Sequence, residues 1–217
     1  MKCWGLSLLA ALIWLAGGIA VAEAQESIKL LPPNLSSGKT VLQALNERKS
    51  ERVFGPGELN RRQLSEVLWA AAGVNRTLEG DKMGRTTPSS HNDQAIDTYA
   101  FTKSGVYKYN HLKHELVFMF PGDHRAVAGP QSYVATAPLS LILVADLSRV
   151  TGDTREYQLM SVSMDAGHMS ANVYLYGASA ELRVICRSTI EREELRALLK
   201  LSDHFVPLLG LTVGQAK

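Results

Sequence analysis

The sequence predicts an α+β fold, a mixed or antiparallel sheet with flanking helices. Three observations carry this. Short segments rich in Tyr, Phe, Val and Thr, separated by turn-forming residues, lie between 95 and 120. The run Pro138-Leu-Ser-Leu-Ile-Leu-Val-Ala-Asp146 is continuously apolar, as in a strand covered on both faces. Apolar residues recur at helical spacing over 64–71 and 159–176, and strands and helices mix without regular alternation or an internal repeat.

Taken in order, the chain opens with a positive start at Lys2, an apolar stretch from Leu6 to Ala22, and the small-x-small tripeptide Ala22-Glu23-Ala24. That is the pattern of a secretory signal peptide, residues 1–24, with cleavage after Ala24 favoured over Ala22 and over retention as an anchor. The expected location is secreted or periplasmic, with no membrane association after cleavage. Removing residues 1–24 of 217 leaves 193, enough for one domain with a sizeable core. Residues 25–38 contain two prolines and three serines and read as an extended arm, leaving 39–217 as the domain.

Residues 40–47 suit a short helix, with Val41, Leu42 and Leu45 at helical spacing. Asn60 and Gln63 are spaced as a capping box before a helix with Leu64, Val67, Leu68 and Ala71 inward, ending at Gly73. Residues 95–102, 105–109 and 115–120 read as antiparallel strands, followed by the buried strand at 138–146. The segment 154–180 is the longest helix, with the stripe Leu159, Val162, Ala166, Met169, Val173 and Tyr176. Its other surface is rich in Ser, Ala and Gly and suits close packing or a subunit contact. Residues 182–187 form a strand, Ser188 and Glu191 a second capping box, and 207–213 the last strand.

A net charge of +2 gives no nucleic-acid footprint. Only Cys186 follows the signal sequence, so the mature chain has no internal disulfide. His111 and His114 lack a cysteine or HExxH context, and no metal site is expected. Neither a nucleophile elbow nor a glycine-rich phosphate loop is present.

Two clusters remain. In Glu47-Arg48-Lys49-Ser50-Glu51-Arg52, three cations and a hydroxyl are suited to phosphate oxygens, against the plainer reading of a solvated helix end. In Arg85-Thr-Thr-Pro88-Ser89-Ser90-His91-Asn92-Asp93-Gln94, neutral donors and acceptors suit a flat heteroaromatic edge, against the reading of a polar loop.

Together these residues resemble the FMN-dependent nitroreductase-like family. Residues 48–52 are similar to its R-R-S-x-R, and 88–94 to its P-S-x-x-N-x-Q. Asp165-Ala-Gly-His168 with Asn172 and Leu175, and the Gly105-Val-Tyr-Lys-Tyr109 hairpin, resemble the branch of azoline-oxidising (thiazole/oxazole-forming) dehydrogenases. The resemblance implies a nitroreductase-like fold, a homodimer, FMN at the subunit interface, a small-molecule substrate and NAD(P)H as an electron donor. It implies that Arg48, Lys49, Ser50 and Arg52, joined by Lys217, hold the phosphate and ribityl chain. Pro88, Ser89, Ser90, Asn92 and Gln94 would line the isoalloxazine. No catalytic side chain is assigned, since the cofactor performs the hydride chemistry. The chain departs from the family at Ala180-Glu-Leu-Arg-Val184, where a glycine-rich turn is common. The expected function is an exported FMN-dependent oxidoreductase, with a non-catalytic flavin-binding or interaction protein as the alternative.

Overall fold

The computed structural model describes residues 26–81 and 83–217, so the signal-peptide reading of residues 1–24 lies outside the described residues. The elements are β1 (Ile28–Lys29), α1 (Val41–Glu47), α2 (Arg61–Ala72), β2 (Val74–Thr77), β3 (Met83–Arg85), β4 (Ile96–Phe101), β5 (Gly105–Asn110), β6 (Glu115–Pro121), β7 (Leu139–Asp146), α3 (Arg155–Ser179), β8 (Leu182–Arg187), α4 (Arg192–Leu199) and β9 (Phe205–Gln215). Seven strands form one sheet in the order β1-β6-β5-β4-β7-β9-β8, and every pairing in it is antiparallel. The predicted α+β class is therefore borne out.

The central position of β7 follows from its composition. Leu139, Leu141 and Leu143 point into the cluster shared with α2 and α3, while Ile142 and Val144 join the cluster on the opposite face. Each such side chain contributes about 1.5–3 kcal/mol on leaving water. A polar pair inside this sheet is satisfied internally: the Ser140 and Thr212 hydroxyls lie 3.2 Å apart.

α2 begins with the expected reciprocal cap between Asn60 and Gln63. α1 has the same arrangement between Thr40 and Gln43. The apolar side of α1 is not inward, however. Val41 and Leu42 are 68% and 78% exposed, and Ala44 is the buried residue of this helix. In α3 the stripe from Val162 through Ala166, Met169 and Val173 is buried, as its period requires.

Three boundaries differ from the sequence reading. α4 starts at Arg192 with Glu191 as a cap residue that makes no side-chain cap bond, so Ser188 does not cap it. β9 is longer than 207–213 because its ladder with β7 and β8 continues at both ends. α2 stops at Gly73 in extended rather than left-handed geometry, because the chain enters the β2–β3 hairpin directly. That hairpin has no alternating apolar pattern to reveal it.

The N-terminal arm crosses the helices and closes one edge of the sheet. Ile28 pairs with Leu116, Leu31 N–H donates to the Ser65 hydroxyl at 2.9 Å, and Asn34 N–H donates to buried Glu66 at 2.9 Å. Tyr176 donates its hydroxyl proton to the other Glu66 oxygen at 3.0 Å.

Candidate functional site

Residues 48–52 leave the end of α1 and dock on the free edge of β8. Arg48 N–H closes the helix on Ala44 O, and Glu51 N–H donates to Val184 O at 2.9 Å. Farther on, Gly55 N–H donates to Gln215 O at 2.9 Å. A Cβ on Gly55 would lie 2.2 Å from Ala216 O and 3.1 Å from the Lys217 Cα, so only glycine fits this approach. The fold thus brings the backbone of Lys217 beside Gly55, three residues past Arg52.

Within this patch the cations differ. Lys49 pairs with Glu51 at 2.9 Å, and Arg183 reaches the same carboxylate at 2.7 Å. Lys49, with Arg183 behind it, holds the Glu51 carboxyl below its usual range. Among the described residues Arg48, Arg52 and Lys217 have no carboxylate partner. The Arg48 guanidinium lies 5.4 Å from the Tyr174 ring centre. Tyr174 also links the patch to the sheet: its oxygen accepts from Cys186 N–H at 2.8 Å and lies 2.8 Å from the Ser50 hydroxyl. Sequence reasoning passed over Tyr174, which looks like an ordinary helix aromatic.

The second cluster is stapled to α2 and α3. The Thr86 hydroxyl donates to Trp69 O and Ala70 O at 2.9 and 3.1 Å, and the Thr87 hydroxyl to Ala71 O at 3.2 Å; the carbonyls of Ala70 and Ala71 lie in the final turn of α2, beyond the reach of its own N–H groups. The Asn172 carboxamide donates to Ala70 O and Thr86 O at 3.2 and 3.1 Å. Ser90 N–H points at the Asp165 carboxylate, 3.3 Å away. Burial raises the Asp165 carboxyl above its ordinary value, opposed by the Ser90 N–H and by His168.

His91, Asn92 and Gln94 all have positive φ, at 50°, 60° and 50°. Side-chain bonds inside the loop hold this costly backbone. Ser89 Oγ accepts from Gln94 N–H at 3.1 Å, and Gln94 Nε2 donates to Met83 O and to Asn92 Oδ1. The Ser90 hydroxyl is 3.0 Å from His91 Nδ1, and Pro88 is exposed at the loop surface. Ser89, Ser90, Asn92 and Gln94 are therefore brought together, largely as one another's partners.

One chain does not bring the two clusters together. Asp165 anchors the loop and Tyr174 the cationic segment, and they are nine residues apart on α3. That spacing is about 13.5 Å along the helix and about half a turn around it. Small cavities adjoin each cluster separately, one with Thr87, Ser89 and Asp165, the other with Lys49, Glu51 and Tyr174.

An open cavity of about 600 Å³ lies under the loop, lined by Met83, Arg85, Asn92, Gln94, His111 and Arg149 among others. Arg85 is 7% exposed, and its Nη2 lies 2.9–3.0 Å from the ring nitrogens of His111. Burial and the adjacent guanidinium push His111 down to about 4, and burial lowers Arg85 to about 10. His111 and His114 do not converge: His114 bridges Tyr109 and Leu31 O instead. Among the described residues no group of three or more His, Cys, Asp or Glu is placed to hold a metal ion. Arg85 and His111 were not nominated from sequence, because a lone Arg and a hairpin His carry no spacing signal.

The chain and its fold have known counterparts. The nitroreductase family profile matches residues 45–215, and the chain belongs to the nitroreductase family. A nitroreductase-family protein of Methanocaldococcus jannaschii is 31% identical over 182 residues, covering 79% of this chain and 88% of that one. The crystal structure of a nitroreductase-family protein from Ralstonia eutropha is 37% identical, with a TM-score of 0.82, covering 91% of this chain and 93% of that one. A Parabacteroides distasonis structure described as an NADH dehydrogenase/NAD(P)H nitroreductase shares the fold at 16% identity and a TM-score of 0.56, covering 82% of this chain and 89% of that one. Family membership places the chain among oxidoreductases.

Proposed function

We propose that this chain is an exported FMN-dependent oxidoreductase that takes hydride from a reduced nicotinamide, NADH or NADPH, and delivers it to a small-molecule acceptor. The observation that carries the reading is that exposed Arg48, Arg52 and Lys217 have no carboxylate partner among the described residues, with Ser50 between the two arginines and Lys217 drawn beside Gly55. Such a patch fits a phosphate, whose oxygens take charge-assisted bonds from guanidinium forks. Arg48, Ser50, Arg52 and Lys217 would hold the phosphate and ribityl chain. Lys49 belongs to the patch but is already engaged by Glu51. Ser89, Ser90, Asn92 and Gln94 would form the neutral wall of the isoalloxazine, with Pro88 at its margin. When bound, FMN supplies the hydride chemistry. The chain's own residues bind, orient and exclude water.

Because the clusters lie about half a turn apart around α3, a complete site calls for the patch of one copy and the loop of another. The surface for that pairing is at hand: Val41, Leu42 and Leu45 of α1, with Met160 and Met164 of α3, are exposed apolar residues on two helices in contact. A Leu42→Asp, Met164→Asp double variant is expected to sediment as a monomer and to lose FMN binding. A wild-type monomer that still binds FMN tightly argues against the shared site.

The direct test is titration of purified protein with FMN, followed by fluorescence and the visible flavin bands, then reduction with NADH or NADPH. Absence of binding rules the reading out. A specific observation favours the non-catalytic alternative: Glu181 stands at φ 58°, in the turn where the family commonly carries glycine. Tight FMN binding without reduction by either nicotinamide would select that alternative. The Gly105–Tyr109 hairpin and the Asp165–Leu175 helix motivate kinship with the azoline-oxidising branch, which an assay with azoline peptides tests. Export is checked by N-terminal sequencing of the mature protein.

A further inference from the structure

Arg85 is more than nine-tenths buried, yet among the described residues no carboxylate forms an ion pair with it. Its Nη1 reaches only Ile96 O, at 3.4 Å, its Nη2 faces His111, and its Nε has no partner. A guanidinium withdrawn from water without a counter-ion is costly, and the cost is recovered when an anion binds it. His111 cannot supply one, since at neutral pH it is an uncharged imidazole. Arg149, on the same cavity, is different. It is held by Asp97 at 2.8 Å and by Asp146 at 3.1 Å, and donates to Gln94 O and Ala95 O. Lys108 also pairs with Asp97, at 2.7 Å.

The one carboxylate lining the cavity, Asp93, is turned toward Thr151, whose N–H and hydroxyl it accepts at 2.6 and 2.8 Å. Arg149 is thus already matched by Asp97 and Asp146, and Arg85 is the guanidinium on this lining with no ion pair among the described residues. A planar guanidinium fork matches a carboxylate. Met83 supplies an apolar wall, and Asn92 and Gln94 a neutral rim.

We propose that the cavity under residues 83–94 binds the carboxylate of a small organic acid, with Arg85 as the recognising cation. Arg85 and Gln94 also line the small cavity beside Ser89 and Asp165, so the pocket adjoins the neutral wall assigned to the flavin. The acid is then the acceptor class of the proposed oxidoreductase. That role rests on the flavin reading, whereas the binding itself does not.

The test is calorimetry on the full mature chain with benzoate and its neutral counterpart benzamide. Benzoate is expected to bind at least about tenfold more tightly, the factor that 1.4 kcal/mol represents. Equal affinities, or no benzoate binding at millimolar concentration, overturn the proposal with no variant needed. Arg85→Gln, checked for folding by circular dichroism, should abolish the preference, and Arg85→Lys should restore part of it. A folded Arg85→Gln protein that still prefers benzoate overturns it too. If FMN binds, the KM for 4-nitrobenzoate should rise at least tenfold in Arg85→Gln while that for nitrobenzene stays level; equal changes in both count against the site. Should FMN fail to bind while the benzoate preference holds, the flavin reading falls and this one stands.

Discussion

Residues 48–52 and residues 85–94 are both short polar stretches, yet the fold treats them in opposite ways. The first lies open on an edge strand, fixed by backbone bonds at Glu51 and Gly55, while Arg48 and Arg52 carry no carboxylate partner among the described residues. The second is held by its own side chains: Thr86, Thr87, Ser89, Asn92 and Gln94 are tied to backbone carbonyls, to one another, or both. A charged ligand site keeps its donors free, because exposed cations cost little while they wait in water. A neutral wall must be rigid before the ligand arrives, since its weaker bonds cannot also order a loop.

Breaking the open half should have the largest effect. Arg48→Ala with Arg52→Ala removes two charge-assisted contacts of about 1.5–3 kcal/mol each, so FMN affinity should fall about a hundredfold or more. Apo-protein stability should move by no more than about 0.5 kcal/mol, because both residues are exposed. Fluorescence titration and chemical denaturation check the two parts.

Breaking the rigid half should show the reverse. Asn172→Leu leaves Thr86 O without its amide donor and Ala70 O with the Thr86 hydroxyl alone, and should destabilise the chain by about 1–3 kcal/mol. The loss should appear in urea melts before any change in cofactor affinity is considered.

A smaller effect sharpens the same contrast at Asp165. Its carboxyl is raised on folding, so the native chain holds that proton more tightly than the unfolded chain. Its contribution to stability is therefore greatest at low pH and declines as pH rises from the ordinary Asp value of about 3.9 through the folded one. Asp165→Asn keeps an acceptor for Ser90 N–H and removes the titration. It should be at least as stable as the parent at pH 7, within about 1 kcal/mol, with the difference closing as pH approaches 4. Paired melts across pH 4–7 measure this.

The smallest effect belongs to Lys49→Ala. Its ammonium is exposed and already paired with Glu51, and surface pairs are worth about 0–1 kcal/mol. FMN affinity should change less than about fivefold. A loss as large as that of the arginine pair would erase the distinction between free and engaged cations.

The sequence by itself determined the class of fold, the central strand at 138–146, the long helix and the two clusters. These depend on local periodicity and cap chemistry, which neighbours along the chain carry. Tertiary structure decided the rest. It put Lys217 beside Gly55 across 162 positions of chain, turned the apolar residues of α1 outward, and placed the clusters on opposite sides of α3. It also buried Arg85 without a counter-ion, beside a histidine it holds neutral. Arg85 stood inside the polar run from the start, but burial and the lack of a partner are properties of surroundings. No spacing in a sequence encodes them.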